Sequence, residues 1–361
     1  MKTKVAVIFG GNSAEHEVSL KSATNIYNAI DTAAFAPLLL GVDRQGNWQF
    51  NSRYNDSNIN LSEDDYFAAA SFVYLKKADQ KVEIIDLASN QILGSFEVAF
   101  PIIHGTFGED GTLQGILKSL NVAYVGPDVL GSAVGMDKEV AKRLLRDANI
   151  PIAAFFTLYR HIPNAFSFEE IEEQLGLPLF VKPANAGSSV GVSKVTNQKE
   201  FDRAVSQAFI YDKKILIEEA VFGKEVECAV LGNEEVKASV LGEIISGTNF
   251  YSYEEKYTNL DGVQTKIPAE IDQNISGIIR ETAVKAFKVL CCEGLSRIDF
   301  FLRADNTFVL NEINTLPGFT ATSMYPKLWE NTGLCYTDLL TELIGLAVAR
   351  QQRNLTIVTE K

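Results

Sequence analysis

The sequence predicts an α/β protein in which a parallel-sheet N-terminal domain is followed by two α+β units. Three observations carry this. A continuous apolar run at 5–9 ends in Gly10-Gly11, an amphipathic helix follows at 17–30, and an apolar strand returns at 37–42. That strand–turn–helix–strand order is how parallel sheets begin. Further on, helical stretches are interleaved with short strands. Finally, 361 residues exceed what one compact core usually holds.

Taken in order, the first unit spans 1–126. After its opening, 48–96 is polar and irregular, with strand-like stretches at 72–75 and 82–87, and reads as an elaboration of this unit. A buried strand at 98–103 and a short one at 121–126 complete it. The second unit, 127–222, opens with a helix at 137–148 whose Val140, Leu144 and Leu145 line one face. Strands at 156–158, 179–182, 192–194 and 215–219 and a helix at 201–208 follow. The third, 223–361, holds a strand at 225–231, a polar Gly-bounded segment at 246–263, a helix at 275–290, strands at 296–302 and 308–314, and a closing helix at 337–350.

Hydrophobic residues at 46% and charged ones at 22% are ordinary for a packed globular chain, so disorder is excluded. A net charge of −13 argues against nucleic acid or an anionic membrane as partner, but not against ATP, which a local lysine cluster can hold. The opening MKTKVAVIFG enters a strand at once and leaves no room for a signal peptide. No apolar run approaches the roughly 20 residues that cross a bilayer. Cys228, Cys291, Cys292 and Cys335 lack metal-site or disulfide spacing, and buried reduced thiols in a cytoplasmic protein are expected.

The two late strands carry the most chemistry. If Asp305-Asn306 form the turn between them, Asp299 lies opposite Glu312 and Arg297 opposite Asn314, all on one face and roughly 5 Å apart across the strands. Opposed carboxylates repel, and a divalent cation removes the difficulty. An Asp, Glu and Asn oxygen set suits magnesium. A solvated hairpin edge would carry the same residues, and a one-residue slip would divide them between faces. Upstream, a strand ends in Lys182-Pro183 and leads into Asn185-Ala186-Gly187-Ser188-Ser189-Val190-Gly191, where glycines and hydroxyls let the backbone approach an anion. It is not a P-loop, and a plain turn is the alternative. Lys138 is a second candidate cation or an exposed helix charge. Glu218, Glu219 and Glu225 could meet an adenosine or simply mark loop entrances.

In this order the residues resemble the D-alanine–D-alanine ligase family of ATP-grasp enzymes, over nearly the whole chain. The motifs are Gly10-Gly11-Asn12-Ser13-Ala14-Glu15-His16-Glu17-Val18-Ser19; His104-Gly105-Thr106-Phe107-Gly108-Glu109-Asp110-Gly111; Lys182 with Gly187-Ser188-Ser189-Val190-Gly191; Tyr253-Glu254-Glu255-Lys256-Tyr257; Arg297-Ile298-Asp299; and Asn311-Glu312-Ile313-Asn314-Thr315-Leu316-Pro317-Gly318. The resemblance implies an ATP-grasp fold for the second and third units. It implies that Lys138 and Lys182 bind the α- and β-phosphates under a loop including Ser188 and Ser189, and that Glu218, Glu219 and Val221 meet the adenine and Glu225 the ribose. Phe301 joins this set. Asp299, Glu312 and Asn314 would hold two magnesium ions, with manganese a substitute.

For the two D-alanine substrates, the resemblance implies Glu15 at the first ammonium with His104 nearby, and Ser323 at the second carboxylate. Arg297 and the Gly318 N–H would stabilise the oxyanion. The 246–263 segment would be a lid bringing Lys256 to the γ-phosphate and Tyr257 over the substrate, hydrogen-bonded towards Ser188 and Glu15. Homodimers are usual in this family. Relatives that form a D-lactate ester tend to carry phenylalanine at the Tyr257 position, so Tyr257→Phe is expected to shift the D-alanine/D-lactate product ratio towards the ester in a mixed-acceptor assay. Asn249 and Glu219 depart from commoner family residues. The rivals are a D-alanine–D-lactate ligase or another ATP-grasp carboxylate–amine ligase, a nicotinamide-dependent dehydrogenase, against which the missing third glycine of the fingerprint counts, and a nucleotide-binding module without catalysis.

Overall fold

The computed structural model describes residues 2–54, 58–162, 165–246 and 263–357. The first part contains β1 (Thr3–Gly10), α1 (His16–Ala29), β2 (Phe35–Val42), β3 (Trp48–Phe50), α2 (Glu63–Phe67), β4 (Ser71–Ala78), β5 (Lys81–Asp86), β6 (Ile92–Phe96), β7 (Val98–Pro101), α3 (Thr112–Ser119) and β8 (Ala123–Tyr124). They form one eight-stranded sheet in the order β6-β5-β4-β3-β2-β1-β7-β8. Only β2-β1-β7-β8 is parallel; from β2 to β6 each neighbour is antiparallel. The parallel expectation therefore holds for half of the sheet. The physical reason lies in burial: Val5–Phe9 is fully buried, as a parallel strand covered on both faces must be. β4, by contrast, exposes Phe72 and Tyr74 while burying Val73, the alternation of a sheet with one solvated face.

The second part contains α4 (Val129–Met136), α5 (Lys138–Asp147), β9 (Phe155–Tyr159), α6 (Phe168–Leu175), β10 (Leu179–Pro183), β11 (Ser193–Val195), α7 (Gln198–Tyr211) and β12 (Lys214–Glu219). Its four strands form an antiparallel sheet, β11-β10-β12-β9. Asp137 caps α5 by accepting from the Val140 N–H, and Ser167 with Glu170 forms a capping box on α6. The third part contains β13 (Lys224–Gly232), β14 (Val236–Ser246), β15 (Val263–Lys266), α8 (Gln273–Val289), β16 (Gly294–Leu302), β17 (Phe308–Asn314), α9 (Met324–Thr332) and α10 (Tyr336–Leu355). Its sheet runs β15-β14-β13-β16-β17, all antiparallel. The chain is thus a mixed α/β protein with one mixed and two antiparallel sheets. Among the elements, β3, α2, β6, α3, α4, α6, β14, β15 and α9 were not foreseen.

The closing helix does more than complete the third part. Leu339, Leu340, Leu343 and Ile344 of α10 share one core with Val5, Val7 and Phe9 of β1 and with Ala229 and Leu231 of β13. Buried Arg350 donates to the Gly126 carbonyl and, at 2.7 Å, to the Tyr124 carbonyl, with its guanidinium 4.4 Å from the Tyr124 ring centre. Arg350→Met leaves those buried carbonyls without their donor. It is expected to lower unfolding free energy in a denaturant titration by about 2–4 kcal/mol.

Among the described residues no single helix is long and apolar enough to cross a membrane; α9 and α10 pass that test only as a pair bent by 103°. All four cysteines are free, but only Cys228 and Cys292 are buried. Cys291 and Cys335 are exposed, against the expectation of buried thiols.

Candidate active site

The β16–β17 hairpin sets Asp299 opposite Glu312 and Arg297 opposite Asn314. It reaches that register differently from the expected two-residue turn. Leu302 pairs with Phe308, and the loop between is closed by the Arg303 N–H donating to the Thr307 carbonyl at 2.8 Å. This is a loop centred on Asp305, which alone would slip the register by one. A bulge restores it: Phe300 pairs with Leu310 and Asp299 with Glu312, so Asn311 is the extra residue.

Strand order adds a residue that sequence reasoning missed. Glu227 on β13 is opposite Asp299, which aligns Glu227, Asp299 and Glu312 across three adjacent strands. Arg297 lies among them. Its Nε donates to Asp299 Oδ1 at 2.8 Å and lies 3.0 Å from Glu227 Oε2, and its Nη2 donates to Asp299 Oδ2 at 2.7 Å. Asn314 Nδ2 also donates to Asp299, at 3.0 Å. Burial works against the Arg297 charge, but Asp299 and Glu227 outweigh it and hold the group well above its usual range. Glu227 and Asp299 are each only 2% exposed. Three carboxylates around one arginine leave an excess of negative charge, and all the donor atoms a cation would use are oxygens. The all-oxygen donor chemistry suits a hard divalent cation, although among the described residues no three acidic, His or Cys side chains are grouped to hold one as placed.

Between the four- and five-stranded sheets lies a cleft of about 470 Å³. The chain brings together there, from the sequence-derived set, Lys138, Lys182, Ser188, Ser189, Glu218, Glu219, Val221, Glu225, Phe301 and Glu312; Asn311 joins them through the bulge. Lys138 is the first residue of α5, and its Nζ donates to the Ala186 carbonyl at 2.7 Å and lies 3.7 Å from Glu312. Lys182 Nζ lies 2.7 Å from Glu218 Oε2. Behind them Lys142, a second residue not foreseen, lies 3.2 Å from Glu218 Oε1. Burial would raise the Glu218 carboxyl, but Lys142 and then Lys182 reverse that and hold it below its ordinary value. Glu219 accepts from the Ala154 N–H at 3.0 Å, with Arg303 at 3.8 Å. Ser188 and Ser189 both have positive φ, 50° and 58°, an uncommon pair for non-glycine residues. The pair forms the centre of a tight turn, closed by the Val190 N–H donating to the Gly187 carbonyl at 3.1 Å, which sets both hydroxyl-bearing residues at the cleft.

Glu15, at the start of α1, meets the Ser188 hydroxyl at 2.5 Å, joining the first sheet to the Gly-Ser loop. A Cβ on Gly105 would approach Glu15 Oε2 to 3.0 Å, and one on Gly187 to 3.3 Å, so two glycines make room for this carboxylate. His104 is buried, with Nδ1 3.1 Å from the Leu316 carbonyl and Nε2 3.4 Å from Ser22 Oγ. Burial lowers its pKa despite the nearby Glu15, which favours neutral imidazole. Glu109, also unforeseen as a site residue though it lies in a quoted motif, accepts from the Gly105 N–H at 2.7 Å. Burial, helped by the Glu15 charge, pushes its carboxyl up to about 8.

The sign of the resulting pH effect follows. Between an unfolded-state value near 4.5 and about 8, the folded chain binds more protons than the unfolded one, so stability falls as pH rises through that window. Glu109→Gln is expected to flatten this part of the melting-temperature–pH curve, measured from pH 5 to 9 on the ligand-free protein. Ser323 is the N-cap of α9, and its Oγ accepts from the Thr320 N–H at 2.9 Å. A Cβ on Gly318 would come within 2.8 Å of that Oγ, so these two candidates are adjacent. Lys256 and Tyr257, like most of the 246–263 segment, lie outside the described residues.

A cleft between two antiparallel sheets, floored by lysines and edged by carboxylates, suits a nucleoside triphosphate, and similarity to known proteins makes the chain an ATP-grasp ligase. Family models described as "D-ala D-ala ligase N-terminus" and "D-ala D-ala ligase C-terminus" match residues 4–127 and 144–345. D-alanine–D-alanine ligase A of Escherichia coli (strain K12) is 50% identical over 363 residues, covering 99% of both chains. Among solved structures, the D-alanine–D-alanine ligase from Coxiella burnetii matches with TM-score 0.86 and 36% identity, covering 98% of this chain and 97% of that one. The VanG D-Ala:D-Ser ligase from Enterococcus faecalis matches with TM-score 0.85 and 38% identity, covering 96% and 100%. The chain belongs to the D-alanine–D-alanine ligase family.

Proposed function

We propose that this chain joins two D-alanine molecules into D-alanyl-D-alanine through a D-alanyl phosphate, converting ATP to ADP and phosphate and supplying the dipeptide for peptidoglycan precursors. The observation that carries the reading is the register that sets Asp299 opposite Glu312 beside the lysine-lined cleft. The family supports a cytoplasmic homodimer.

ATP lies in the cleft with its adenine at Glu218, Glu219 and Val221, its ribose at Glu225, and Phe301 against the nucleotide. Lys138 and Lys182 offset charge on the phosphates beneath Ser188 and Ser189. Asp299, Glu312 and Asn314 would hold two magnesium ions, which when bound would neutralise the charge that crowds the phosphates. Glu15, with His104 near, orients the first D-alanine by its ammonium. The free carboxylate of that molecule attacks the γ-phosphorus, the bond to the β-phosphate oxygen breaks, and ADP leaves. Ser323, at the positive N-terminus of α9, holds the carboxylate of the second D-alanine. Its amine attacks the acyl carbon, Arg297 and the Gly318 N–H stabilise the oxyanion, and collapse expels phosphate. Lys256 and Tyr257 keep the lid roles that the family resemblance implies.

A second reading is favoured by one finding: a D-Ala:D-Ser ligase is among the similar structures. The test incubates the protein with ATP, magnesium and D-alanine, adding D-serine, D-lactate or L-alanine as competitor, and quantifies ADP and each product. D-Alanyl-D-alanine as the main product, with one ADP released per dipeptide, is expected. A predominance of a mixed product would move the chain to another branch of the family.

A further inference from the structure

The phosphate floor raises a problem of charge. Lys182 is 2.7 Å from Glu218, and a lysine paired that closely with a carboxylate presents little net charge to an anion. The acid is 4% exposed, so solvent does little to separate the pair. A third member stands behind it. Lys142 lies on α5, one helical turn beyond Lys138 and on the same side of the helix. It is 2% exposed, its Nζ is 3.2 Å from the other Glu218 oxygen, and it does not line the cleft. Neither Lys142 Nζ nor Glu218 Oε1 makes a hydrogen bond of good geometry with a described residue. The contact is chiefly a Coulombic one, with the Phe155 ring 5.7 Å from Nζ and the Glu312 charge adding to it.

Burying a lysine is costly, and a methionine of similar length would fill the same space. The charge therefore needs a use. We propose that Lys142 is a charge-balancing, positioning residue: it takes up the Glu218 carboxylate from behind, so that Lys182 keeps a net positive charge for the nucleotide phosphates. The Lys142–Glu218–Lys182 group carries one net positive charge, whereas Lys182–Glu218 alone carries none. Against its burial, Lys142 and Lys182 together hold the Glu218 carboxyl below its ordinary value, while burial lowers the Lys142 pKa and the Glu218 charge opposes that. The inference rests on the cleft being the ATP site.

The test measures dissociation constants of ADP and adenosine, without turnover, for the parental chain and for Lys142→Met, Lys142→Arg and the double variant Lys142→Met/Glu218→Gln. The informative quantity is the adenosine-to-ADP ratio, which isolates what the phosphates contribute. In Lys142→Met that ratio is expected to fall by on the order of tenfold to a hundredfold, the effect of one charge near two phosphates in a partly buried site. Lys142→Arg retains the charge and the ratio. The double variant removes one charge of each sign, restores a net positive Lys182, and should recover most of the ratio even where adenosine itself binds more weakly. An unchanged ratio in Lys142→Met, or a lowered ratio that the double variant fails to restore, overturns the proposal. Should Lys142→Met not fold, Lys142→Arg and the double variant still decide it: both must keep the parental ratio. A parental protein that binds no ADP would instead sink the functional reading on which this depends.

Discussion

Arg297→Met is expected to cost the enzyme both its turnover and much of its stability. Arg297 is the cation within a row of three carboxylates, and two of those, Glu227 and Asp299, are almost fully buried. Removing it leaves them facing each other without a counter-charge, and breaking a buried pair in this way typically costs about 3–5 kcal/mol. As the proposed oxyanion donor, it also contributes to the second chemical step, where losing one donor slows turnover about a hundredfold or more. The two effects are separable. Below the melting temperature of the variant, kcat for dipeptide should fall by at least about a hundredfold. The KM for ATP should change little, because Arg297 does not line the nucleotide cleft. A folded variant with near-parental kcat, or one that melts with the parental protein, would contradict this role.

Glu312→Gln is expected to do the reverse, harming activity while sparing the fold. The Glu312 side chain is 27% exposed, and the Lys138 ammonium lies 3.7 Å from it. A partly exposed pair at that distance contributes about 1 kcal/mol or less. The substitution keeps size and one oxygen but removes a charge from the proposed metal set. The magnesium concentration for half-maximal activity should rise by on the order of tenfold or more, with kcat at ordinary magnesium falling about as far. Manganese titration of the ADP complex, followed by electron paramagnetic resonance, should show weaker binding without any turnover. Unaltered manganese affinity would remove Glu312 from the metal set. The contrast between neighbours is the point: burial makes Arg297 structural as well as chemical, and exposure confines Glu312 to chemistry.

Much of this was legible in the sequence because the informative residues sit on regular elements. Alternation along 296–302 put Arg297 and Asp299 on one side and along 308–314 put Glu312 and Asn314 on one side, and only the assumed turn at Asp305-Asn306 brought the two pairs to a common face. The turn itself was not legible. The Arg303–Thr307 closure and the extra residue at Asn311 displace the register in opposite senses, and no local residue preference announces that cancellation. Glu227 was hidden for a different reason: it joins the row only because β13 lies beside β16, and strand order is a tertiary fact. Lys142 was within reach, since it follows Lys138 at helical spacing, but a lysine on a polar-looking helix reads as solvated until its burial is seen. The β4–β5 and β5–β6 links are too short for a crossover, so those strands had to run antiparallel. The shared core of α10 and β1 joins residues more than three hundred positions apart, which no window on the sequence connects.

The central claim is that the cleft and the carboxylate hairpin activate one D-alanine as an acyl phosphate before the second attacks. D-Alanine labelled with ¹⁸O in its carboxylate tests this directly, in a reaction with ATP, magnesium and the protein, followed by mass analysis of the phosphate and nucleotide released. The account predicts ADP and dipeptide in equal amounts, with one labelled oxygen carried into each inorganic phosphate. Unlabelled phosphate, or label recovered in AMP, would contradict it.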